Sequence, residues 1–192
     1  MTLTRLTKYA MMGAVALTFG LSNPANAQTT ETVTASMTVE NGFTVSEDAP
    51  LSFGTIGFFL DGTNDLTMTL STAAAESFVA AGGTSNGVEI VAGTAADIVI
   101  QGPIAADIDM VITSADVVNP TDGTTAFTLN NFTYDDQSGN TGSAAFDTPV
   151  TIELTAPNAD ENILIGADLV ADGSLDYEDG LYTGEFAVTF QY

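Results

Sequence analysis

The side-chain periodicity of this sequence constrains its fold more than any other feature. After residue 27, apolar residues recur at every second position in short segments, and no stretch sustains the 3.6-residue spacing of an amphipathic helix. The last segment is the clearest case, because four large apolar side chains would share one face of a β-strand. They are Phe186, Val188, Phe190 and Tyr192. About ten such segments, separated by turns rich in Gly, Asn, Asp and Ser, predict an all-β sandwich or barrel.

Two further segments are strand candidates, one before the expected domain and one in its middle. Residues 32–40 repeat the alternation with smaller side chains, and their apolar members are Val33, Ala35, Met37 and Val39. Residues 73–81 fit either a helical turn or a strand, since Gly82 and Gly83 follow directly. The pattern alone leaves that choice open.

The first 27 residues are typical of a secretory signal peptide. Arg5 and Lys8 precede an apolar run from Ala10 to Leu21, which is too short to span a bilayer, and residues 25–27 read Ala-Asn-Ala, a small-residue cleavage site. We therefore expect three parts: a signal peptide at 1–27, an N-terminal extension or first strand at 28–41, and one β-sandwich domain at 42–192. The protein is expected to pass through the periplasm to the cell surface or the extracellular space.

The charge of the chain excludes several classes of partner. All 25 acidic residues lie after residue 27, the only two basic residues lie before it, and the chain has no histidine or cysteine. Nucleic acids and anionic membrane surfaces are bound through Lys and Arg, so neither is expected as a partner. No disulfide supports the exported domain, and stability must come from core burial, bound ions or assembly.

The same inventory argues against an enzyme. Without imidazole, thiolate or amine groups, only carboxylates, hydroxyls and phenols remain for catalysis, and no nucleotide-binding or nucleophile motif occurs. Calcium is the one cofactor that the acidic turns suggest, since it prefers six to eight oxygen ligands. The densest acidic group consists of Asp172, Asp176, Glu178 and Asp179. It lacks the spacing of a helix-loop-helix calcium site, and a solvated acidic surface is the simpler interpretation.

The two ends of the expected domain resemble known secreted proteins. The segments T-V-T-A-S-M-T-V-E-N (32–41), P-L-S-F-G-T-I (50–56) and G-L-Y-T-G-E-F-A-V-T-F-Q-Y (180–192) are similar to those of pilin-like domains. The resemblance is to spore-coat-U-like subunits, alternate-chaperone fimbrial subunits, and a bacterial family of unknown function with the same L-x-F-G-x-I and G-x-Y-x-G endings. It implies an immunoglobulin-like, pilin-like β-sandwich that lacks one strand. The cysteine usual in spore-coat-U-like domains is replaced here by Phe43.

The resemblance also implies a mode of assembly. In such fimbrial families the N-terminal extension of the next subunit supplies the missing strand, and a periplasmic chaperone and an outer-membrane usher manage the exchange. Carried over to this sequence, the donor side chains are those of the 32–40 segment, namely Val33, Ala35, Met37 and Val39. The acceptor groove is lined or bordered by Phe186, Val188, Phe190 and Tyr192.

Three functions follow as expectations. The first is an exported structural subunit of a bacterial surface fibre, assembling with copies of itself by donor-strand exchange. The second is a monomeric secreted β-sandwich that binds calcium, a glycan or another surface ligand. The third is a small outer-membrane β-barrel, which also ends in an alternating strand with a terminal aromatic residue.

Overall fold

The computed structural model describes residues 42–103, 105–113, 116–118 and 125–192. Within these ranges it contains thirteen strands and no α-helix. In chain order the strands are β1 Thr44–Ala49, β2 Thr55–Phe59, β3 Leu66–Leu70, β4 Glu76–Ala80, β5 Asn86–Val91, β6 Ala96–Gln101, β7 Asp107–Thr113, β8 Asp116–Val118, β9 Ala126–Asp135, β10 Thr141–Ala144, β11 Val150–Glu153, β12 Asp160–Ala171 and β13 Ala187–Gln191. The predicted all-β class is confirmed, with more strands than the ten or so expected.

Most strands follow the period-two rule from which they were predicted. In β3, Leu66, Met68 and Leu70 are buried, while the intervening threonines are partly exposed. Strands β6 and β7 alternate in the same way. Residues 73–81, which fitted either a helical turn or a strand, contain β4, which pairs antiparallel with β3. Burial of one face therefore accounts for these strands.

The longest strand, β12, organises the larger sheet of eight strands. One edge of β12 pairs with β9, whereas the other edge pairs first with β6 and then with β3. The change of neighbour falls at Gly166, where a Cβ atom would lie 2.3 Å from the backbone oxygen of Leu70. Glycine is required there because no side chain fits against that backbone. Strand β1 continues the sheet beyond β6, and β4 continues it beyond β3.

A bulge in β9 keeps its apolar side chains directed into the core. Phe127 and Leu129 are buried at odd positions, but the next buried residue is Phe132. Asn131, with a φ of 46°, is the extra residue in the pairing with β12, and its side chain donates a hydrogen bond to Asp168. The inserted residue shifts the alternation by one position.

The second layer is a three-stranded sheet in the order β11-β7-β13. Its buried side chains join those of the larger sheet in one core, as expected for two packed sheets. The largest fully buried apolar side chains are Phe132, Leu66, Leu70, Ile100, Ile108, Met110, Ile112, Ile152, Leu154, Ile163 and Ile165. The chain is thus a β-sandwich, with β1 at an edge of one layer and β13 at an edge of the other.

A third, two-stranded sheet is formed by β2 and β5. The turn after β2 is fixed by Asp61, whose carboxylate accepts hydrogen bonds from the backbone amides of Thr63, Asn64 and Thr84. The bonds from Thr84 and Asn64 hold the pKa of Asp61 well below its usual value. This carboxylate thereby joins the turn after β2 to the turn before β5.

The final strand is shorter than its sequence pattern predicted. The alternating residues run from Glu185 to Tyr192, but regular pairing with β7 covers only Ala187 to Gln191. The expected signal peptide at 1–27 and the extension at 28–41 lie outside the described residues. Among the residues that are described, no helix is long and apolar enough to cross a membrane.

Candidate assembly groove

An apolar groove of about 430 Å³ lies between the edge strands of the two layers. Its floor is formed by Ala96 and Ile98 of β6. Val45 of β1 lies on one side, and Phe186 and Val188 lie on the other. Within the described residues, the groove is therefore a gap between the two layers at the β1 and β13 edges, above buried residues of the core.

Both strands that border the groove have a free edge in the described part of the chain. Among the strands that the structure describes, β1 pairs with β6 alone and β13 pairs with β7 alone. The backbone N–H and C=O groups on the other edge of each strand have no ladder partner among the described strands. A sheet edge of this kind is able to accept an added strand.

The structure brings three of the four predicted acceptor side chains to the groove. Phe186, Val188 and Phe190 line it and pack partly buried against the core. Tyr192 does not line it; its ring packs edge to face on Phe43, with 5.3 Å between the centroids. The contact between Tyr192 and Phe43 therefore packs the C-terminal end of β13 against the start of the described chain. The predicted donor residues Val33, Ala35, Met37 and Val39 lie outside the described residues.

The charge around the groove is negative. Glu47 and Glu185 line it together with the apolar residues, and no basic residue follows residue 27 to offset them. An incoming strand without carboxylates avoids repulsion from these two side chains. Residues 32–39 contain no charged side chain, and the carboxylates of Glu31 and Glu40 lie at the two ends of this segment.

The floor of the groove was not predicted from the sequence. Ala96 and Ile98 belong to a strand that the alternation identifies, whereas Val45 belongs to β1, which shows little alternation. Nothing local shows that these strands lie opposite β13. Leu51 also lines the groove. It belongs to the L-x-F-G-x-I segment, which was the available signal for this side of the site.

The acidic turn proposed for calcium is held together by its own hydrogen bonds. Asp172 accepts bonds from the hydroxyl and the amide of Ser174, which lower the pKa of its carboxyl group. The Tyr182 hydroxyl donates to the backbone oxygen of Glu178. Within the described residues, no group of three or more His, Cys, Asp or Glu side chains surrounds a common point. The calcium expectation thus rests on the sequence alone.

A second cavity, also of about 430 Å³, lies beside this acidic turn. Its walls include the aromatic rings of Phe53, Phe58 and Tyr182, and the exposed residues Glu178 and Asp179 also line it. Phe58 packs edge to face on Phe127, which belongs to the core. Aromatic walls with a few polar groups are a common composition for ligand sites.

One buried carboxylate was not distinguished in the sequence from the many exposed ones. Asp136 is only 2% exposed and sits in the turn between β9 and β10. Burial alone would raise its pKa, but hydrogen bonds from the side chain and amide of Asn140, and from the amide of Ser138, outweigh that effect and lower it. Its role is to fix the turn.

The fold and the groove define a class of protein: a β-sandwich in which one edge of each layer borders an open apolar groove. The chain belongs to a family described as a domain of unknown function (DUF4402), whose model matches residues 43–192. No curated protein matches the chain. The expected membership of a family of unknown function is confirmed.

Proposed function

We propose that this protein is an exported structural subunit of a bacterial surface fibre, in which residues 28–41 of one copy add as a strand to the groove of the next copy. The observation that carries the proposal is the apolar groove between β1 and β13, with a strand edge on each side that no other described strand pairs. The described sandwich would be completed by one more strand in this position. The resemblance of the sequence segments 32–41, 50–56 and 180–192 to those of spore-coat-U-like and fimbrial subunits supports the same proposal.

The chemistry of residues 32–40 matches what the groove requires. Val33, Met37 and Val39 would enter the groove, while the threonines between them would face outward. Burying each of these three side chains contributes about 1.5–3 kcal/mol. The backbone of the added strand would supply hydrogen bonds to the free edge of β13. Apolar contacts would set the register, since a slip of one residue would place threonines in the core.

The contact between Phe43 and Tyr192 defines the competing arrangement. The described chain begins beside the C-terminal end of β13, so a copy that filled its own groove would run parallel to that strand. A segment from a second copy has no such restriction and is free to enter antiparallel. The experiment must therefore distinguish filling within one chain from filling between chains.

The first experiment measures assembly. The purified secreted chain should form oligomers that resist SDS, because a buried strand dissociates slowly. Triple substitution of Val33, Met37 and Val39 by Ser should abolish them. The matched control substitutes Thr32, Thr34 and Thr38 by Ser, which changes the opposite face of the same segment and should leave assembly intact. Equal behaviour of the two triple variants would refute strand addition.

The second experiment uses the absence of cysteine in the chain. One population carries Thr189→Cys, at an exposed position of β13, and an isotope-labelled population carries Thr34→Cys, Ser36→Cys or Thr38→Cys in turn. Disulfides form only when the Cα atoms lie about 4.4–6.8 Å apart. We expect one of the three positions to cross-link the two populations. A third variant carries both cysteines in one chain; a disulfide within that chain, with no cross-link between the two populations, would mean self-filling and would exclude the fibre.

In the cell, this role implies transit through the periplasm with the aid of a chaperone and an outer-membrane usher. The genes beside this one offer a direct check, since a chaperone gene and an usher gene would be expected there. Deleting the usher gene should leave the protein in the periplasm and remove it from the cell surface.

A second candidate function is a self-contained secreted sandwich that binds a ligand. The aromatic cavity beside Phe53, Phe58 and Tyr182 favours it, since such walls suit the flat faces of sugars. Glycan-array binding that is lost in Tyr182→Ala, combined with a strictly monomeric state, would favour this function over the fibre. Calorimetric titration with calcium would test whether the bound ligand is a calcium ion.

A further inference from the structure

We propose that the outer face of the β2–β5 sheet is a contact surface between two copies of this chain. This face is defined by Gly57, Phe59, Val88, Ile90 and Val91. It uses neither β1 nor β13, and the proposal stands whether or not the groove accepts a strand.

These residues share one side of the sheet. Gly57 pairs with Val88, and a Cβ atom on Gly57 would lie 3.3 Å from Ile90 Cδ1 and 3.4 Å from Val88 Cγ1. The valine and isoleucine therefore lie against the bare backbone of Gly57. Phe59 follows on the same side two residues later. Together they form an apolar surface over the bare backbone of Gly57, bordered by the uncharged polar residues Asn86, beside Phe59, and Thr55, beside Val91.

The face is exposed to an unusual degree for apolar side chains. Phe59, Val88, Ile90 and Val91 are between 57% and 65% exposed, and they are four of the nine exposed large hydrophobic residues in the described chain. The two strands that carry them comprise Thr55–Phe59 and Asn86–Val91 only. Concentrated apolar exposure of this kind marks interaction sites.

The opposite side of the two strands is already occupied. Ile56 and Phe58 pack against the main core. Glu89 pairs with Ile56, so its side chain leaves the strand on that inner side, where it is exposed to solvent. It is the only charged residue in β2 or β5, and the outer face is consequently free of charge.

The absence of charge on the outer β2–β5 face, on a chain that is otherwise acidic, favours a second copy of the chain as the molecule that binds there. After residue 27 the chain carries 25 carboxylates and no basic side chain, so two copies repel each other wherever acidic surfaces meet and cannot form ion pairs between side chains. A basic partner would be drawn to the acidic surfaces instead. An uncharged apolar face is the surface on which a second, equally acidic copy can approach, and a two-fold axis would place the same face on itself.

The salt dependence of such a contact is opposite to that of an interface held by ion pairs. Raising NaCl from about 0.1 to 1 M shortens the screening length from about 10 to 3 Å and removes most of the repulsion between copies. The apolar contact itself is not weakened by salt. Dimerisation is therefore expected to tighten with salt.

Sedimentation velocity tests the proposal on the secreted chain that carries the Val33, Met37 and Val39 to Ser substitutions, so that only a contact outside the groove is measured. We expect a reversible dimer that is disrupted by SDS and tightened in 1 M NaCl. Adding Val88→Thr and Ile90→Thr, which keep β-branched shapes, should raise the dissociation constant at least tenfold, or about 1.4 kcal/mol.

The matched control is Leu181→Thr, which changes an equally exposed apolar residue outside β2 and β5 and should leave the dissociation constant unchanged. Circular dichroism verifies folding, and Val88→Thr alone serves if the double variant does not fold. Three results would each overturn the proposal: a monomer at every salt concentration, equal effects of the control and the double variant, or binding of monomers to phosphatidylcholine vesicles through the same residues. Loss of SDS-resistant assembly with a retained dimer would instead count against the groove alone.

Discussion

Gly166 provides the most direct test of the architecture that holds the groove in place. It is the point on β12 where the neighbouring strand changes from β6, which carries the groove floor, to β3. A Cβ atom at this position would lie 2.3 Å from the oxygen of Leu70 and 2.8 Å from the carbonyl carbon of Ser71. Both contacts are to backbone atoms, which cannot turn aside as a side chain would.

The expected cost of Gly166→Ala follows from that geometry. Ordinary contact begins near 3.4 Å, so the Leu70 backbone would have to move by 3.4 − 2.3 = 1.1 Å. The side chain of Leu70 is fully buried, and the shift would disturb its packing in the core. We expect a loss of about 3 kcal/mol in the free energy of unfolding, at the upper end for overpacking. For a domain of this size the melting temperature would fall by roughly 6–12 °C.

The assay is thermal unfolding followed by far-ultraviolet circular dichroism, since the chain has no tryptophan. Gly142→Ala is the matched control: it is also a strand glycine, but its nearest contact, at 3.1 Å, is the movable ring of Tyr134. The control should change the melting temperature by no more than about 2 °C, corresponding to less than about 1 kcal/mol. If Gly166→Ala cost no more than the control, the reasoning about the strand crossover would be wrong.

Two further predictions concern turns. Asp136→Asn would place the donor group of an amide against the donor group of Asn140, and should cost about 1–3 kcal/mol at pH 7 in chemical denaturation. Because the pKa of Asp136 is lowered in the folded state, its contribution is present above a pH of about 4 and is lost as the pH falls through the folded pKa; a difference between the two proteins that did not shrink as the pH was lowered below about 4 would contradict this. Ala74 adopts a φ of 55° in an exposed turn, so Ala74→Gly should raise the free energy of unfolding by about 0.5–1 kcal/mol, and a lower melting temperature would argue against strain there.

Strand prediction from the sequence succeeded where one face is buried, and was weaker elsewhere. Strands such as β3 and β12 carry large apolar residues at alternate positions, because the sandwich interior excludes water on one side only. Strand β1 reads Thr-Val-Ser-Glu-Asp-Ala, and β10 reads Thr-Gly-Ser-Ala, with little apolar alternation in either. These two are edge strands that are stabilised by pairing with β6 and β9.

The candidate groove was predicted only in part for a related reason. Phe186, Val188 and Phe190 were identified from their own alternation, which is a local property of the chain. Ala96 and Ile98 became part of the same groove because β6 pairs with β1 and packs opposite β13. Asp136 has the same local appearance as the exposed acidic residues, and only the fold of its turn buries it.

The sequence by itself determined that the chain is all-β, that the region after residue 27 is uniformly acidic, and that its last segment presents an apolar face. These properties follow from side-chain alternation and residue content, which are readable position by position. The tertiary structure decided that β12 has three neighbours, that β1 and β13 border one groove, and that the outer β2–β5 face is free of charge. Those outcomes depend on which distant segments bury surface against each other, and that choice is made by packing across the whole domain.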